Sequence, residues 1–208
     1  MAEMGALKTE NPLPSPAFTN NHHEHTLEDE AWKHRAPYQI KSPEEFGPAK
    51  WRAKCKCGRI SYTLRRDKPL NAKFCHCRGC QVMHGAPFQW AAIFHKEDIN
   101  FEKGCSGLSF YSSSQNSRKY QTPTKVSCSF CHSLIMDEGR NMCCLFPQLI
   151  EFEGSQDEQR KQREVFRPTC HIFYEQRMMD IPDGAPKWAG MDQSSQLLND
   201  QGVPIDQK

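Results

Sequence analysis

The sequence lacks the features of a membrane-bound or secreted protein. No apolar run approaches the roughly 18 residues that a membrane-spanning helix needs. The first residues, MAEMGALKTENPLPSPAF, contain no apolar core of a signal peptide, so we expect a cytoplasmic protein, with the nucleus as the alternative compartment. The chain also lacks a basic block, and 27 Lys and Arg against 25 Asp and Glu give a net charge of only +2. Binding to nucleic acid through bulk charge is therefore not expected.

No internal repeat is visible, but cysteine is abundant, with 11 in 208 residues. In a reducing compartment, clustered cysteines are metal ligands more often than disulfides. Seven of them fall into three groups with ligand spacing: Cys55 and Cys57; Cys75, Cys77 and Cys80; Cys128 and Cys131. The other four have no such spacing, and we expect buried thiols there: Cys105, Cys143, Cys144 and Cys170.

The seven cysteines divide most simply into a set of four and a set of three. Residues i and i+2 of a strand face the same side, so the first pair can reach one metal, and Cys-x-x-Cys is the usual zinc-knuckle spacing. We favour a four-cysteine cluster of Cys55, Cys57, Cys128 and Cys131 as a closed structural site. The three-cysteine cluster is then Cys75, Cys77 and Cys80. Spacing leaves two alternatives open: a pair that borrows from the triplet, or a single zinc site with spare thiols.

The three-cysteine cluster has the pattern of a catalytic zinc, with three protein ligands and one exchangeable position. Three thiolates around Zn²⁺ give a net charge of −1, which suits the binding of a substrate thiol better than the generation of hydroxide. A histidine could close the site instead. The candidates in or near the cysteine motifs are His76, His84, His132 and His171.

Short apolar stretches at intervals of about ten residues, separated by turn residues, predict a mainly β fold. The stretch WRAKCKCGRISYTL predicts a hairpin, and SQDEQRKQREVF predicts an exposed helix or loop. We expect four regions along the chain: a disordered tail over residues 1–30, an N-terminal arm over 31–49, a zinc-binding β domain over 50–190, and a polar C-terminal tail over 191–208.

Four motifs resemble the family of glutathione-dependent formaldehyde-activating enzymes, which also includes centromere protein V. These are CKCGRISY, FCHCRGCQVMHGAP, CSFCHSLIMDEGRNM and RPTCHIFYEQRMMDIPDGAPKW. The resemblance implies an Mss4-like fold, a β-tent with two zinc ions per chain. It places the structural zinc on Cys55, Cys57, Cys128 and Cys131. It places the catalytic zinc on Cys75, Cys77 and Cys80.

The resemblance also implies a carbon–sulfur lyase, similar to S-(hydroxymethyl)glutathione synthase, whose partners are glutathione and formaldehyde or a related small aldehyde. Candidate residues for the substrate carboxylates are Lys73, Arg78 and Arg140, with solvated surface charge as the alternative. Two other functions stay open. One is a non-enzymatic zinc-binding interaction module, and the other is a lyase with a different substrate in a specialised pathway.

Overall fold

The computed structural model describes residues 27–205, and the side chains from residue 30 onward. Nearly all of the predicted tail over residues 1–30 lies outside this part of the chain. Within it, short strands dominate, and the prediction of a mainly β fold is confirmed. No helix in the described range has the length and apolar character required to cross a membrane.

The strands are short and follow one another along the chain. They are β1 (Trp51–Lys54), β2 (Ser61–Leu64), β3 (Asn71–Cys75), β4 (Gln89–His95), β5 (Ile99–Phe101), β6 (Leu108–Tyr111), β7 (Thr124–Cys128), β8 (Leu134–Glu138), β9 (Met142–Leu145), β10 (Cys170–Ile172), β11 (Lys187–Trp188) and β12 (Leu197–Leu198). The α-helices are α1 (Pro43–Phe46), α2 (Arg78–His84) and α3 (Gln156–Glu164). Four 3₁₀ helices complete the described elements: Leu27–His34, Lys96–Asp98, Pro147–Leu149 and Tyr174–Gln176.

The strands form two sheets. The smaller sheet has the order β1-β2-β5, and β1 and β2 form the hairpin that the sequence predicts. The larger sheet has nine strands in the order β12-β11-β10-β3-β4-β9-β8-β7-β6. Its pairs are antiparallel except that β10 runs parallel to both β3 and β11. The strand that carries the first cysteines of the three-cysteine cluster therefore lies inside the larger sheet.

One hydrophobic core joins the two sheets. Burial alternates along β2 and β7, so that each strand turns one face inward. Tyr62 and Leu64 of the smaller sheet share the core with Phe94, Val126 and Leu145 of the larger one.

The N-terminal arm packs against this core through aromatic rings. Trp32, on the first 3₁₀ helix, stacks on Tyr120 with 3.8 Å between ring centroids. Tyr38 is buried, and its hydroxyl donates a hydrogen bond of 2.6 Å to Glu138. The arm is thus partly helical and partly buried.

The C-terminal region contributes more structure than its polar composition indicates. Strands β11 and β12 extend the larger sheet beyond β10. The buried ammonium of Lys187 explains this packing, because it makes ion pairs of 2.9 Å with Asp183 and 2.8 Å with Asp200. Pairing of Lys187 with Asp200 holds the residues after β12 against the sheet. The four domain boundaries themselves stay a prediction.

Candidate metal centres

The four-cysteine cluster brings together two pairs that are far apart in the sequence. The Sγ atoms of Cys55, Cys57, Cys128 and Cys131 all lie within 4.8 Å of one another. The Cys55–Cys57 sulfur distance is 3.4 Å and the Cys57–Cys128 distance is 3.9 Å. Zn–S bonds of about 2.3 Å in a tetrahedron place sulfurs about 3.8 Å apart. The donor set and its spacing therefore fit a closed zinc site.

Two tight turns build this cluster. After Cys55 the chain reverses at Gly58, whose φ of +74° is easily reached by glycine, and the N–H of Ile60 donates to Cys55 Sγ at 3.3 Å. The second turn passes through His132, which has a φ of +59°.

Cys131 lies on this second turn, beside a hydroxyl group. The Ser133 hydroxyl lies 3.3 Å from Cys131 Sγ. This hydrogen bond, together with backbone hydrogen bonds from Ser133 and Cys57, outweighs burial and lowers the pKa of the Cys131 thiol to about 5. Both turns aim their sulfurs at one point, and the Ser133 contact favours the thiolate form that binds metal.

The three-cysteine cluster forms where a strand passes into a helix. Cys75 ends β3, Cys77 is the N-cap of α2, and Cys80 lies in the first turn of that helix. All three Sγ atoms are within 4.8 Å of one another. Cys77 Sγ accepts the N–H of Cys80 at 3.4 Å, so one sulfur both caps the helix and faces the cluster. The sequence pattern does not predict α2, yet the first turn of this helix is what brings Cys80 back to the other two cysteines.

The packing of the cluster opposes ionisation of the Cys80 thiol. A hydrogen bond with Cys75, followed by burial, raises the pKa of Cys80. A cation among the sulfurs would reverse this effect, because it stabilises each thiolate. Cys75 and Cys77 are half-buried, so the cluster is accessible from one side. Both clusters could hold metal ions.

None of the four candidate histidines joins the three-cysteine cluster. His76 and His171 contact each other instead, with 2.8 Å between Nε2 and Nδ1, and His171 Nε2 lies 2.9 Å from Asp183 Oδ2. Burial lowers the pKa of His76 to about 4. His132 lies in the turn of the other cluster, and His84 ends α2. Among residues 30–205, the cluster of potential ligand atoms contains three sulfurs and nothing else.

Three hydrogen-bonded polar residues lie on the same sheet as the three-cysteine cluster: Gln89, Asp137 and Lys125. Gln89 lies directly opposite Cys75 in the pairing of β3 with β4. Its Nε2 donates a hydrogen bond of 3.0 Å to Asp137, which also accepts one of 2.5 Å from Lys125 Nζ. Burial by itself lowers the pKa of Lys125, but the negative charge of Asp137, with smaller effects of nearby cysteines, raises it above its usual value. Lys125 is therefore an ammonium at neutral pH.

The basic residues proposed from the sequence have different surroundings. Lys73 forms an ion pair of 2.5 Å with Asp192. Arg78 is exposed at the start of α2. Arg140 is exposed and lines a separate cleft beside Thr122. The sequence does not identify Gln89, Lys125 and Asp137 as neighbours, because only strand pairing brings them together. Alternation of residues within each strand was the only pattern that could have indicated which side chains share a face.

Comparison with known proteins gives one strong result and one weak result. No curated protein matches the chain significantly. A solved structure of a Rhodobacter sphaeroides protein matches with 18% identity over 51% of this chain and 93% of that chain, with a TM-score of 0.40. That likeness is too low to support any argument about fold or function.

The family model described as glutathione-dependent formaldehyde-activating enzyme matches residues 50–176. The match covers more than half of the chain and contains every cysteine of both clusters. The chain therefore belongs to the family of glutathione-dependent formaldehyde-activating enzymes.

Proposed function

We propose that the protein is a zinc-dependent carbon–sulfur lyase that joins glutathione to formaldehyde and forms S-hydroxymethylglutathione. The observation that carries this proposal is the three-cysteine cluster, which offers three sulfurs on an accessible side of the larger sheet and no fourth ligand among the described residues. A structural site of the same protein, the four-cysteine cluster, has its full set of four. The difference supports a catalytic role for the smaller cluster.

Cys75, Cys77 and Cys80 are the residues that would hold the catalytic zinc, and the other cluster would hold a second, structural zinc. Sulfur is a soft donor, and a cluster of thiolates selects zinc over magnesium or calcium. When bound, zinc supplies positive charge that stabilises the substrate sulfur as a thiolate at neutral pH.

The proposed reaction is an addition in which all atoms are retained. The glutathione sulfur attacks the formaldehyde carbon, a C–S bond forms, and the C=O double bond becomes a single bond. The thiol proton ends on the new hydroxyl oxygen. No oxidant or reductant is needed. Both reactants are small and reactive, so the protein contributes mainly by holding them together in the required orientation.

Exchange NMR at equilibrium tests this proposal, because glutathione and formaldehyde also react without protein. The interconversion rate is compared for the zinc-loaded wild type, for Cys77→Ser, and for Cys105→Ser as a control outside both clusters. We expect acceleration by the wild type and the control, and its loss in Cys77→Ser and after zinc removal. Equal rates with and without wild-type protein, across a range of glutathione concentrations, would overturn the proposal.

A further inference from the structure

A cleft lies between the N-terminal arm and the rest of the domain, and we call it the arm cleft. Its volume of about 560 Å³ is within the range of small-molecule sites. No cysteine of either cluster lines it. Four Lys or Arg side chains do, two from the arm and two from the domain: Arg35, Lys41, Lys96 and Arg140.

The arm cleft concentrates positive charge in a chain that is nearly neutral as a whole. Glu97 is the one acidic residue among its described lining residues, and Lys96 is paired with the carboxylate of Glu138. With both carboxylates counted, the four cations leave a formal charge of +2, equal to the net charge of all 208 residues. His34 also lines the cleft and adds to this charge when protonated. Such a concentration of charge attracts an anion.

Three of the four cations have no carboxylate of their own. Within residues 30–205, no acidic side chain forms an ion pair with Arg35, Lys41 or Arg140. The two guanidinium groups are exposed, one on the arm and the other on the turn after β8. They can therefore bind a ligand without first breaking an ion pair within the protein.

Lys96, the fourth cation, is held in place by a buried carboxylate. Its side chain is 14% exposed, and Nζ donates a hydrogen bond of 2.6 Å to Glu138, which is fully buried. Glu138 also accepts hydrogen bonds from Tyr38 and Tyr120. An ammonium has three N–H donors, so two donors of Lys96 have no acceptor in the described part of the chain. A largely buried ammonium with unused donors indicates a site for a ligand rich in acceptor oxygens.

The chemistry of the arm cleft favours phosphate over carboxylate. A phosphate monoester carries a charge of about −1.5 to −2 at neutral pH and three strong acceptor oxygens. A carboxylate carries a single charge and two oxygens. Guanidinium groups such as those of Arg35 and Arg140 bind phosphate through paired hydrogen bonds, and the unused donors of Lys96 add to these.

We propose that the arm cleft binds a small molecule with a phosphate monoester group, held by Arg35, Lys96 and Arg140. This inference goes beyond the proposed function, because neither glutathione nor formaldehyde carries a phosphate group. Arg35 lies outside residues 50–176, which the family model matches, so the site depends on a part of the chain that this model does not cover. The bound phosphate joins the arm to the domain.

Calorimetric titration of the metal-loaded full chain with phenyl phosphate tests the inference. The comparison ligand is benzoate, which has the same ring and a single negative charge. We expect the wild type to bind phenyl phosphate about tenfold more tightly or better, as for one additional charge-assisted hydrogen bond. The affinity should also fall as the salt concentration rises.

Charge-matched variants locate the bound phosphate. Arg35→Gln and Arg140→Gln should each weaken the binding of phenyl phosphate about tenfold. The control Arg160→Gln removes an exposed arginine of α3 with the same change in net charge, and we expect it to bind like the wild type. Both arginines of the cleft are exposed and unpaired, so these variants should fold, as circular dichroism checks.

A variant of the three-cysteine cluster separates the arm cleft from the metal centre. Cys77→Ser should bind phenyl phosphate like the wild type, because no cluster cysteine lines the cleft. Three results would overturn the inference: equal affinity of the wild type for both ligands, unchanged binding in either Arg35→Gln or Arg140→Gln, or loss of binding in a folded Cys77→Ser variant. None of them depends on the outcome of the exchange experiment.

Discussion

At the scale of single residues, the cysteines of the two clusters differ in how deeply their side chains are buried. Cys128 ends β7 and is fully buried within the hydrophobic core, whereas Cys77 is half-buried at the start of α2. Loss of a ligand from a closed zinc site removes part of a binding free energy on the order of 10 kcal/mol that is coupled to folding. A change at Cys77 leaves the core intact.

We expect Cys128→Ser to lower the melting temperature sharply or to prevent soluble expression, and Cys77→Ser to cost much less stability. Thermal unfolding followed by circular dichroism, with metal content measured on the same samples, checks this difference. An equal loss of stability in both variants would show that the three-cysteine cluster is structural too.

Asp98, which belongs to neither cysteine cluster, makes a pH-dependent contribution to the free energy of unfolding. It is 3% exposed and accepts hydrogen bonds from Arg65 at 3.2 Å and from Arg66 at 2.9 Å. Burial alone would raise the pKa of Asp98, but the two guanidinium groups outweigh this effect and hold the pKa below its usual value. Replacement of Asp98 by Asn leaves two arginines without their carboxylate, which should cost about 2 kcal/mol at pH 7.

The sign of the pH dependence follows from this depressed pKa. As the pH falls below about 4, the unfolded chain takes up a proton at Asp98 while the folded carboxylate stays ionised. The stabilisation is therefore complete above pH 5 and is lost as the pH falls through the folded pKa. We expect the free energy difference between wild type and Asp98→Asn, from urea unfolding, to be constant from pH 5 to 8 and to shrink towards pH 3. A difference that grows in acid would contradict this assignment.

At the scale of elements, local sequence predicts some structures and misses others. The hairpin of β1 and β2 was predictable from alternation around a Cys-Gly turn, and α3 begins at the expected charged stretch, with Ser155 as N-cap. Helix α2 was not predictable from periodicity, because it has only seven residues and starts within a cysteine motif. Strands β11 and β12 have two residues each and are held by Lys187 and its partners, so tertiary contacts define them.

The N-terminal arm lies outside the residues that the family model matches, and its contribution to the free energy of unfolding can be measured. Trp32 stacks on Tyr120 and meets Tyr38 and Phe110 edge-on, with centroid distances of 5.2 Å and 5.1 Å to the latter two. Replacement of this half-buried ring by Ala should lower the free energy of unfolding by about 2 kcal/mol. Urea unfolding measures the loss.

A substitution at an exposed apolar residue provides the control for the arm. Val203 is 55% exposed, and Val203→Ala should change the free energy of unfolding by less than about 0.5 kcal/mol. If Trp32→Ala behaved like this control, the aromatic contacts of the arm would contribute nothing measurable.

At the scale of the whole molecule, the two clusters predict the metal content. Protein purified without chelator should contain close to two zinc ions per chain, measured by elemental analysis. A mild chelator should remove the zinc of the three-cysteine cluster first, because its cysteines have one ligand fewer and two of them are half-buried. A content near one, with Cys75, Cys77 and Cys80 freely alkylated, would exclude the second metal.

The grouping of the cysteines is suggested by the sequence because metal geometry constrains short spacings, and in the structure the sulfurs lie in one set of four and one set of three that could hold metal ions. Their assignment as zinc ligands stays a prediction. The group of Gln89, Lys125 and Asp137 was not predictable. These residues lie on β4, β7 and β8, and their contact depends on which strands are neighbours and on the register of their pairing. Neither property has a signature within a single strand of this sequence.

The separation of the two halves of the four-cysteine cluster affects the order of events during synthesis. Cys57 and Cys128 are 71 positions apart, so the first pair of thiols emerges from the ribosome well before the second. For that interval the first two thiols lack their partners and are open to oxidation or to the wrong metal. A metal bound by both pairs would close a loop of this length, at a cost in chain entropy. If the four cysteines hold one zinc, a shortage of zinc when Cys131 emerges should lower the yield of folded protein.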